Sequence, residues 1–523
     1  MITQQKSSAA QSVSSAASAK TGNVPDVRHR ISIKRLWQQI RNTLRGRFTL
    51  FAICLIILAL AQGLFLAHSF QQAASDLATI SSGSTPSIDA AQAIAQYIED
   101  IDARSADYLA TAALTAAVPC QVVGSNANPG PLTVHDCDDR NIAAEIIAAN
   151  HQVFLAAHNV TYPGERTAIE RIIAGFQDYI AQIEIMRHEY ELAASKSNIH
   201  DQHLQLAHQA YIAANNILTT RITAQATTDA TRETNLPSCT IAGHTMAPND
   251  WVSGSIRDNR DCLSYINRFH LDAAYNDTVN FLGTTVALSI ISCIIFSLLI
   301  SGATWSLITL THRVVNIGLT LALLVSIIFG IASVARLAQA AGRHGDFGQM
   351  VQDDYNSIYY AALLKKYGTD ANADEARWLI SLEFGDNTEA ARWQQDWTTN
   401  TAQVRQLISS ARANRTWVEE DQPLAGMQTN WNKYIQIDSN IRSTANAGRI
   451  LDAERLSTGA SNAAFGNFTD AVDRLSQANR DHYNSTLKDT QGALTLYIFL
   501  SAILFPLAGL SAAWGIVQRL KDF

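Results

Sequence analysis

Proline is scarce in this chain, and its distribution indicates the fold class. Ten prolines occur in 523 residues, and half of them lie in two stretches, at 119–131 and 237–248. Elsewhere Ala, Gln, Glu, Leu and Arg dominate, all of which favour helices. Proline disrupts helix interiors, so long proline-free stretches permit long helices. The composition therefore predicts an all-α protein with two irregular loops.

Short catalytic motifs are also missing. The sequence contains no Gly-rich phosphate loop, no HExxH and no nucleophile elbow. Catalytic residues can be scattered along a chain, so this absence is weak by itself. Combined with an all-helical composition, it favours a protein that is not an enzyme. We expect no catalytic residue, no cofactor and no metal site.

Acidic residues are absent from four long apolar runs, which are the main feature of the sequence. Each run is at least as long as the roughly 20 residues that a helix needs to cross a bilayer. Backbone polar groups inside a bilayer must be satisfied internally, which favours helices. We therefore predict four transmembrane helices: 48–75, 278–304, 314–335 and 490–518. They bracket two long polar segments, at 76–277 and 336–489.

The distribution of basic residues predicts the orientation. Nine Lys and Arg residues precede the first apolar run, and none follows it until Arg104. The positive-inside rule then places the N-terminus in the cytoplasm of a multi-pass cell-membrane protein. Both polar segments would be ectodomains, with a loop at 305–313 and a tail at 519–523 inside. A cleaved signal peptide is not expected, because the run is too long and no A-x-A site follows it.

The tail at 1–47 has two parts. Residues 1–25 are rich in Ser, Ala and Gln, a composition typical of disorder. Further on, Leu36, Trp37 and Ile40 recur at helical spacing among basic residues, which predicts an amphipathic helix on the inner leaflet. These three residues could contact lipid or a cytoplasmic partner. Alternatively, the basic residues only set the topology. The polar segments show no basic stripe, so nucleic acid is not an expected partner.

Cysteines are few, and four of the six lie in the first polar segment. Disulfides persist outside the cytoplasm, so we expect local pairing, Cys120 with Cys137 and Cys239 with Cys262. Four cysteines allow three connectivities, which sequence does not distinguish. A zinc site including His135 and His244 is the less favoured alternative, since the spacing matches no CxxC pattern.

Three short matches in the same order suggest that the two halves are a duplication. The stretch at 103–109 matches 373–379, the one at 176–180 matches 431–435, and the one at 274–278 matches 482–486. Between these anchors the first half is longer, and its extra residues fall where the cysteines lie. We therefore expect each ectodomain to be an antiparallel four-helix bundle, with disulfide loops inserted in the first. In the second, two of the four helices should continue into the membrane.

The segment WxxYIxxDxxIR at 431–442, followed by Gly448, resembles the third-to-fourth helix region of chemoreceptor-type sensor modules. Two such modules in tandem, with five residues after the last apolar run, resemble the GlnX-type membrane sensors of actinobacteria. The stretch ANADEARWL at 371–379 is similar to a segment of those proteins. This resemblance implies a bacterial sensor coupling an extracytoplasmic solute-binding protein to a cytoplasmic Ser/Thr kinase. A homo-oligomer is a further candidate arrangement.

Two groups of charged residues at matching positions are candidates for ligand or partner contact: Arg104 and Asp107 in the first half, and Asp374, Glu375 and Arg377 in the second. They could hold a polar ligand such as an amino acid. A solvated, salt-bridged helix face is the favoured alternative.

Polar and aromatic residues elsewhere have structural interpretations. Trp393, Trp397 and Trp431 are expected in a bundle core. Gln62 and Asn316, in or beside the apolar runs, are expected to bridge helices.

The leading functional hypothesis is a membrane sensor that couples an extracytoplasmic ligand, or a ligand-binding protein, to a separate cytoplasmic partner. The alternative is a structural or accessory subunit of a larger membrane complex. A transporter is the least favoured class, because no apolar run holds an acidic residue.

Overall fold

The computed structural model describes residues 43–110, 117–120, 122–124, 130–222, 233, 235–241, 244–311 and 316–520. It is all-α, as the composition predicts. Within the described residues the strands are limited to two short antiparallel hairpins. Leu36, Trp37 and Ile40 lie outside the described residues.

The first half begins with one long helical rod. Helix α1 passes through a π-helical segment directly into α2, and the further elements follow: α1 Leu44–Thr79, π segment Ile80–Ser84, α2 Thr85–Ala110, β1 Ala117–Pro119, β2 Pro131–Thr133, α3 Val134–His158, α4 Glu165–Leu192, α5 Gln202–Thr219, β3 Cys239–Ile241, β4 His244–Met246, α6 Pro248–Val252 and α7 Ile256–Thr311.

The second half is also helical, and no strand occurs among its described residues. Its elements are α8 Ile317–Ala341, α9 Asp346–Gly348, π segment Gln349–Tyr355, α10 Asn356–Glu383, α11 Asn387–Ala413, the 3-10 turn Val418–Glu420, α12 Asp421–Asn446, α13 Ile450–Leu456, π segment Ser457–Ser461 and α14 Asn462–Leu520.

One expected continuity is wrong. Helix α8 ends at Ala341 and α9 begins at Asp346, so a turn interrupts the helix that was expected to run from the third apolar run into the second polar segment. Arg336 and Asp346 form an ion pair across this turn. By contrast, α14 is continuous from Asn462 to Leu520, as predicted.

Four helices are long and apolar enough to cross a membrane, which agrees with the four predicted spans. Large apolar side chains on them are exposed in the isolated chain: Leu64, Leu298, Ile328 and Phe499 are each more than 60% accessible. Soluble proteins rarely leave such extended apolar surfaces uncovered. Exposed apolar surface of this kind is typical of helices that are suited to a lipid bilayer.

The apolar helices pack closely through small residues. Helix α14 packs on α1 and α8, and α7 packs on α8. A Cβ atom added at Gly63 would lie 2.7 Å from the Ser501 carbonyl oxygen, and one at Gly509 would lie 2.5 Å from Ala59 Cβ. Small residues of this kind let membrane helices approach each other.

Gln62 and Asn316 link neighbouring helices, as expected. Gln62 on α1 donates to Cys293 Sγ on α7 at 3.3 Å. Asn316 donates to the Gly515 carbonyl on α14 at 2.8 Å, and its side chain also caps α8.

In the first polar segment, α2 and α3 run antiparallel, since Ser87 contacts Asn159 while Arg104 contacts Asp138 at the other end. Helices α4 and α7 complete the packing. Helix α5 was not anticipated, because the ectodomain was expected to contain four bundle helices. Its apolar side chains, including Leu204, Tyr211 and Leu218, are buried in the same core.

In the second polar segment, α10, α11, α12 and α14 pack together. Trp431 is buried and Trp397 is partly buried against the same core, while Trp393 is buried in a second apolar cluster, as expected for bundle aromatics. Asp386 caps α11 by accepting from the Thr388 and Glu389 amides.

The two disulfides pair as predicted. Cys120 is bonded to Cys137 and Cys239 to Cys262, with sequence separations of 17 and 23. The alternative zinc site is wrong, because all four thiols are consumed. The ring of His135 instead lies against the rings of Tyr108 and Tyr190, with centroid distances of 3.9 and 4.6 Å.

Helix α10 also packs along α2, so the polar segments share a face. The candidate charged residues lie on or beside this face.

Candidate functional site

A buried ionic cluster fills the face where α2, α7 and α10 meet. Its members are charged side chains from both halves of the chain: Glu99, Asp102, Arg257, Arg260, Asp261, Lys366, Asp370, Asp374 and Arg377. Asp370, Asp374 and Arg377 follow at spacings of four and three residues, which places them on one side of α10. That side faces the first half.

Arg377 is the centre of the cluster, and its side chain is fully buried. Its Nε donates to Asp102 at 2.6 Å, its Nη1 to Asp374 at 2.7 Å and its Nη2 to Glu99 at 3.1 Å. The expected solvated helix face is therefore wrong for these residues. The ion pairs exist, but they are sequestered from water because α2 covers this side of α10.

The carboxylate of Glu99 is held in its charged form. Burial by itself would raise its pKa, but Arg257, Arg260 and Arg377 outweigh that effect and hold the pKa well below its usual value. Arg260 Nη1 donates to Glu99 at 2.8 Å. Removing one partner of a buried ion pair is strongly destabilising. The cluster therefore holds the two halves of the chain in a fixed relative position.

Asp102 is saturated by hydrogen bonds. In addition to Arg377, it accepts from the hydroxyls of Tyr179 and Tyr211 at 3.1 and 3.2 Å and from the Asn215 amide at 3.3 Å. The environment of Asp102 leaves no acceptor position for a ligand. We conclude that this part of the cluster has a structural role.

Glu375 belongs to a different environment from its neighbours in sequence. It accepts hydrogen bonds from Ser457 and Ser461 on the far side of α10. Burial, and then the charge of Asp438, raise the pKa of Glu375 to about 8. The structure therefore separates Glu375 from Asp374 and Arg377.

Arg104 and Asp107 line a cavity of about 250 Å³ between α2, α10 and α14, to which both halves contribute. Arg104 donates to Glu145 at 2.7 Å and to Asp138 at 3.3 Å. Asp107 accepts from Asn462 at 3.2 Å, and burial raises its pKa to about 6 against the effects of Asn462 and Arg104.

The other side chains of this cavity are mixed in character. They provide cationic, anionic, neutral polar and aromatic groups, among them Lys365, Asp100, Asn372, Thr369 and Phe465. Groups of both charge signs in a small cavity are suited to a ligand that itself carries both signs. Of the two sequence-predicted groups, only Arg104 and Asp107 reach such a cavity.

Sequence reasoning missed a pair of matching contacts that join the helices of each polar segment. In the first, Asn159 donates to the Gly83 carbonyl at 2.6 Å and to Ser87 Oγ at 2.7 Å. In the second, Asn414 donates to the Asp353 carbonyl and to Ser357 Oγ, both at 2.9 Å. We refer to these two sites as the asparagine clasps.

Each asparagine clasp is followed by the same turn. Glu165 accepts from the backbone amides of Thr161 and Tyr162. Glu420 accepts in the same way from Thr416 and Trp417. The pattern Asn-x-Thr-aromatic-x-x-Glu occurs at 159–165 and 414–420, and this signal could have identified both sites in the sequence.

The aromatic residue of each turn stacks on a histidine of the final helix of its half. Tyr162 stacks on His270 and Trp417 on His482, each with an interplanar angle of 9°. These matching contacts make His270 of the first half equivalent in position to His482 of the second half. That register differs by four residues, about one helical turn, from the pairing of 274–278 with 482–486 expected from sequence.

A profile of one protein family, described as a four helix bundle sensory module for signal transduction, matches residues 315–492. The match covers α8, the second polar segment and the start of the last apolar run, about a third of the chain. This part of the chain is thus similar to sensory modules of signal transduction. No curated protein and no solved structure matches the chain.

Proposed function

We propose that this protein is a membrane sensor that transmits the binding of an extracytoplasmic ligand, or of a ligand-loaded binding protein, to a separate cytoplasmic partner. The observation that carries the proposal is the sensory-module match at 315–492, which spans a polar helical segment together with the apolar helix before it and the start of the one after it. Helices that continue from such a segment into a bilayer can transmit small shifts.

We further propose that the first half is a second module of the same kind, produced by duplication, and that each is an antiparallel four-helix bundle. The two asparagine clasps support this, because the same residue types make the same contacts at the start of both halves. The domain boundaries predicted from sequence, with a cytoplasmic N-terminus, belong to this proposal. We also propose that the chain itself has no enzymatic activity.

The cavity lined by Arg104 and Asp107 is our candidate for direct ligand binding. Its volume of about 250 Å³ and its charges of both signs suit a small zwitterion of the amino-acid class. The GlnX-type resemblance supports a solute-binding protein outside and a Ser/Thr kinase inside as partners. Leu36, Trp37 and Ile40 are the candidate contacts on the cytoplasmic side.

The test measures whether ligand binding moves the apolar helices. Spin labels at Leu50 on α1 and Val517 on α14, both exposed in the isolated chain, would report their separation in nanodiscs. We expect addition of the amino acids that bind, as found by calorimetry over the twenty standard ones, to change this distance by about 1–2 Å. Arg104→Met should abolish both binding and the shift, whereas Arg415→Met should change neither.

The competing hypothesis is a structural or accessory subunit. It is favoured by the saturated ionic cluster, which fixes the two halves rigidly. If none of the amino acids binds, and a co-expressed solute-binding protein also leaves the α1–α14 distance unchanged, the sensor proposal is rejected and the structural role takes its place.

A further inference from the structure

We propose that a second cavity, distinct from the one lined by Arg104, binds a small carboxylate. It has a volume of about 230 Å³ and lies between α2, α7 and α10, with the β3 strand of the second hairpin as one wall. The charged, polar and aromatic side chains that matter for the argument are Gln92, Thr240, Arg260, Asp261, Tyr265, Arg268, Tyr359, Lys366 and Tyr367.

Cations outnumber anions among the lining side chains. Arg260, Arg268 and Lys366 contribute three cations, and Asp261 is the one carboxylate among the lining residues that the structure describes. Lys366 Nζ lies 2.7 Å from Asp261, so this pair is internally neutral. Arg260 is engaged by Glu99 at 2.8 Å. Arg268 is itself paired with Asp272 at 3.2 Å, so it offers the cavity an unused hydrogen-bond donor rather than an unpaired charge.

One guanidinium nitrogen of Arg268 has no acceptor. Its Nε donates to Asp272 at 3.2 Å and its Nη2 to Asn356 at 2.5 Å, but its buried Nη1 has no hydrogen-bond partner. The planar group is held over the Tyr359 ring, 5.0 Å from its centroid. The guanidinium is therefore fixed in place with one donor unused.

A second unused donor comes from another helix of the cavity. Gln92 on α2 is buried, with 8% of its surface accessible, and its Nε2 has no hydrogen-bond partner. Buried donors in folded proteins nearly always find an acceptor, so two of them on residues that line one cavity require an explanation. An ionised carboxylate only accepts hydrogen bonds and has two oxygens to offer, which matches two donors on separate walls.

The remaining walls limit the rest of the ligand. The rings of Tyr265, Tyr359 and Tyr367 and the side chain of Leu363 provide apolar surface beside the donors. This surface favours a carboxylate with a short apolar or aromatic body over a strongly hydrated inorganic anion. The cavity volume is below the range typical of drug-sized ligands, so the ligand must be small.

The second disulfide holds one wall in place. Thr240 and Ile241 directly follow Cys239, which is bonded to Cys262 on α7, beside Asp261. The hairpin is absent from the second half, so the site depends on the insertion as well as on both polar segments. Reducing the Cys239–Cys262 disulfide should therefore allow the β3 strand, with Thr240 and Ile241, to move away from the cavity.

The experiment measures binding of benzoate and propionate to the full chain in nanodiscs by calorimetry, with benzamide and inorganic phosphate as comparison ligands. We expect a carboxylate to bind, with benzamide and phosphate at least tenfold weaker. Gln92→Leu and Arg268→Met should each weaken carboxylate binding at least tenfold. The Cys239→Ser/Cys262→Ser pair should also weaken it, and the matched control Arg415→Met should not.

Several results would overturn the site. These are no binding of either carboxylate, equal binding of benzamide, stronger binding of phosphate, or carboxylate binding unaffected by both single variants. Folding is checked by thermal unfolding, and Gln92→Leu should not lower the melting temperature, because it removes an unsatisfied buried donor. The test measures binding alone, so its outcome does not depend on the proposed sensing function.

Discussion

Residues of the same chemical type have different roles in this protein, depending on which neighbours cover them. Arg377 and Arg415 are both paired with aspartates. The side chain of Arg377 is fully buried, whereas that of Arg415 is 41% accessible. Burial decides how much each ion pair affects the free energy of unfolding, because water and salt screen exposed charges.

We predict that Arg377→Met lowers the free energy of unfolding by about 3–5 kcal/mol, because it leaves Asp102 and Asp374 buried without their cation. The measurement is urea unfolding of the detergent-solubilised chain, followed by tryptophan fluorescence. Arg415→Met is the matched control and should cost about 1 kcal/mol or less. Equal costs for the two variants would show that the cluster does not bear on stability.

Buried carboxyl groups in the second half predict a pH dependence. Burial, and then the charge of Glu383, raise the pKa of Glu454 to about 9, while burial raises the pKa of Glu383 to about 7. The folded state thus keeps protons that the unfolded chain releases near its ordinary glutamate pKa. The contribution of these two groups to stability is complete below the glutamate pKa of the unfolded chain and should be lost as the pH rises from about 5 to about 9.

The variant Glu454→Gln is neutral at every pH, so its melting temperature should fall less steeply over this range than that of the wild type. The measurement is thermal unfolding by circular dichroism at pH 5 to 9. Glu419→Gln, at a side chain that is 65% accessible, is the control and should keep the wild-type slope. Parallel curves for wild type and Glu454→Gln would refute the assignment.

At the scale of elements, the asparagine clasps determine how the helices of each polar segment meet. Asn159 and Asn414 each donate to a backbone carbonyl and to a serine on another helical element, across more than 50 residues of sequence. The acceptor carbonyls, of Gly83 and Asp353, both belong to π-helical segments. A π turn leaves backbone carbonyls available for such side-chain contacts.

We predict that Asn159→Ala and Asn414→Ala each destabilise the chain by about 1–3 kcal/mol, since both leave buried acceptors without a donor. The two costs should be similar, because the contacts are the same. Asn440→Ala, at an exposed helix position, should have little effect. Urea unfolding measures all three, and a large cost in only one half would count against equivalent modules.

At the scale of the whole molecule, the four long apolar helices alternate with two polar segments, and the question is which side of a membrane each polar segment faces. We predict a cytoplasmic N-terminus with both polar segments outside, because nine basic residues precede the first apolar run. Asn159 and Asn414 are unsuitable as label positions, since their side chains are engaged in the clasps.

Cysteine labelling by a membrane-impermeant reagent should therefore use Ser197 and Thr399, which are exposed on the two polar segments, and Ser14 and Lys521 in the tails. The first two should be labelled in intact cells, and the last two only after permeabilisation. Labelling of Thr399 only after permeabilisation would reject the two-ectodomain topology.

The sequence by itself determined the features that depend on local pattern. Each apolar run is long enough to cross a bilayer as a helix, and this predicted four long apolar helices. The scarcity of proline predicted an all-α chain. The four cysteines of the first polar segment predicted local disulfides. These features arise from neighbours in sequence, so composition and spacing are sufficient.

Only the tertiary structure decided the environment of the charged residues. The sequence 374–377 has the pattern of a solvated, salt-bridged face, yet α2 covers it, and Arg377 pairs with Glu99 and Asp102 from the other half. Helix α5 and the cavity containing Gln92 likewise depend on contacts between distant segments. Helical periodicity shows which residues share a face, but the element that packs on that face decides whether their charges are screened by water or paired in the interior.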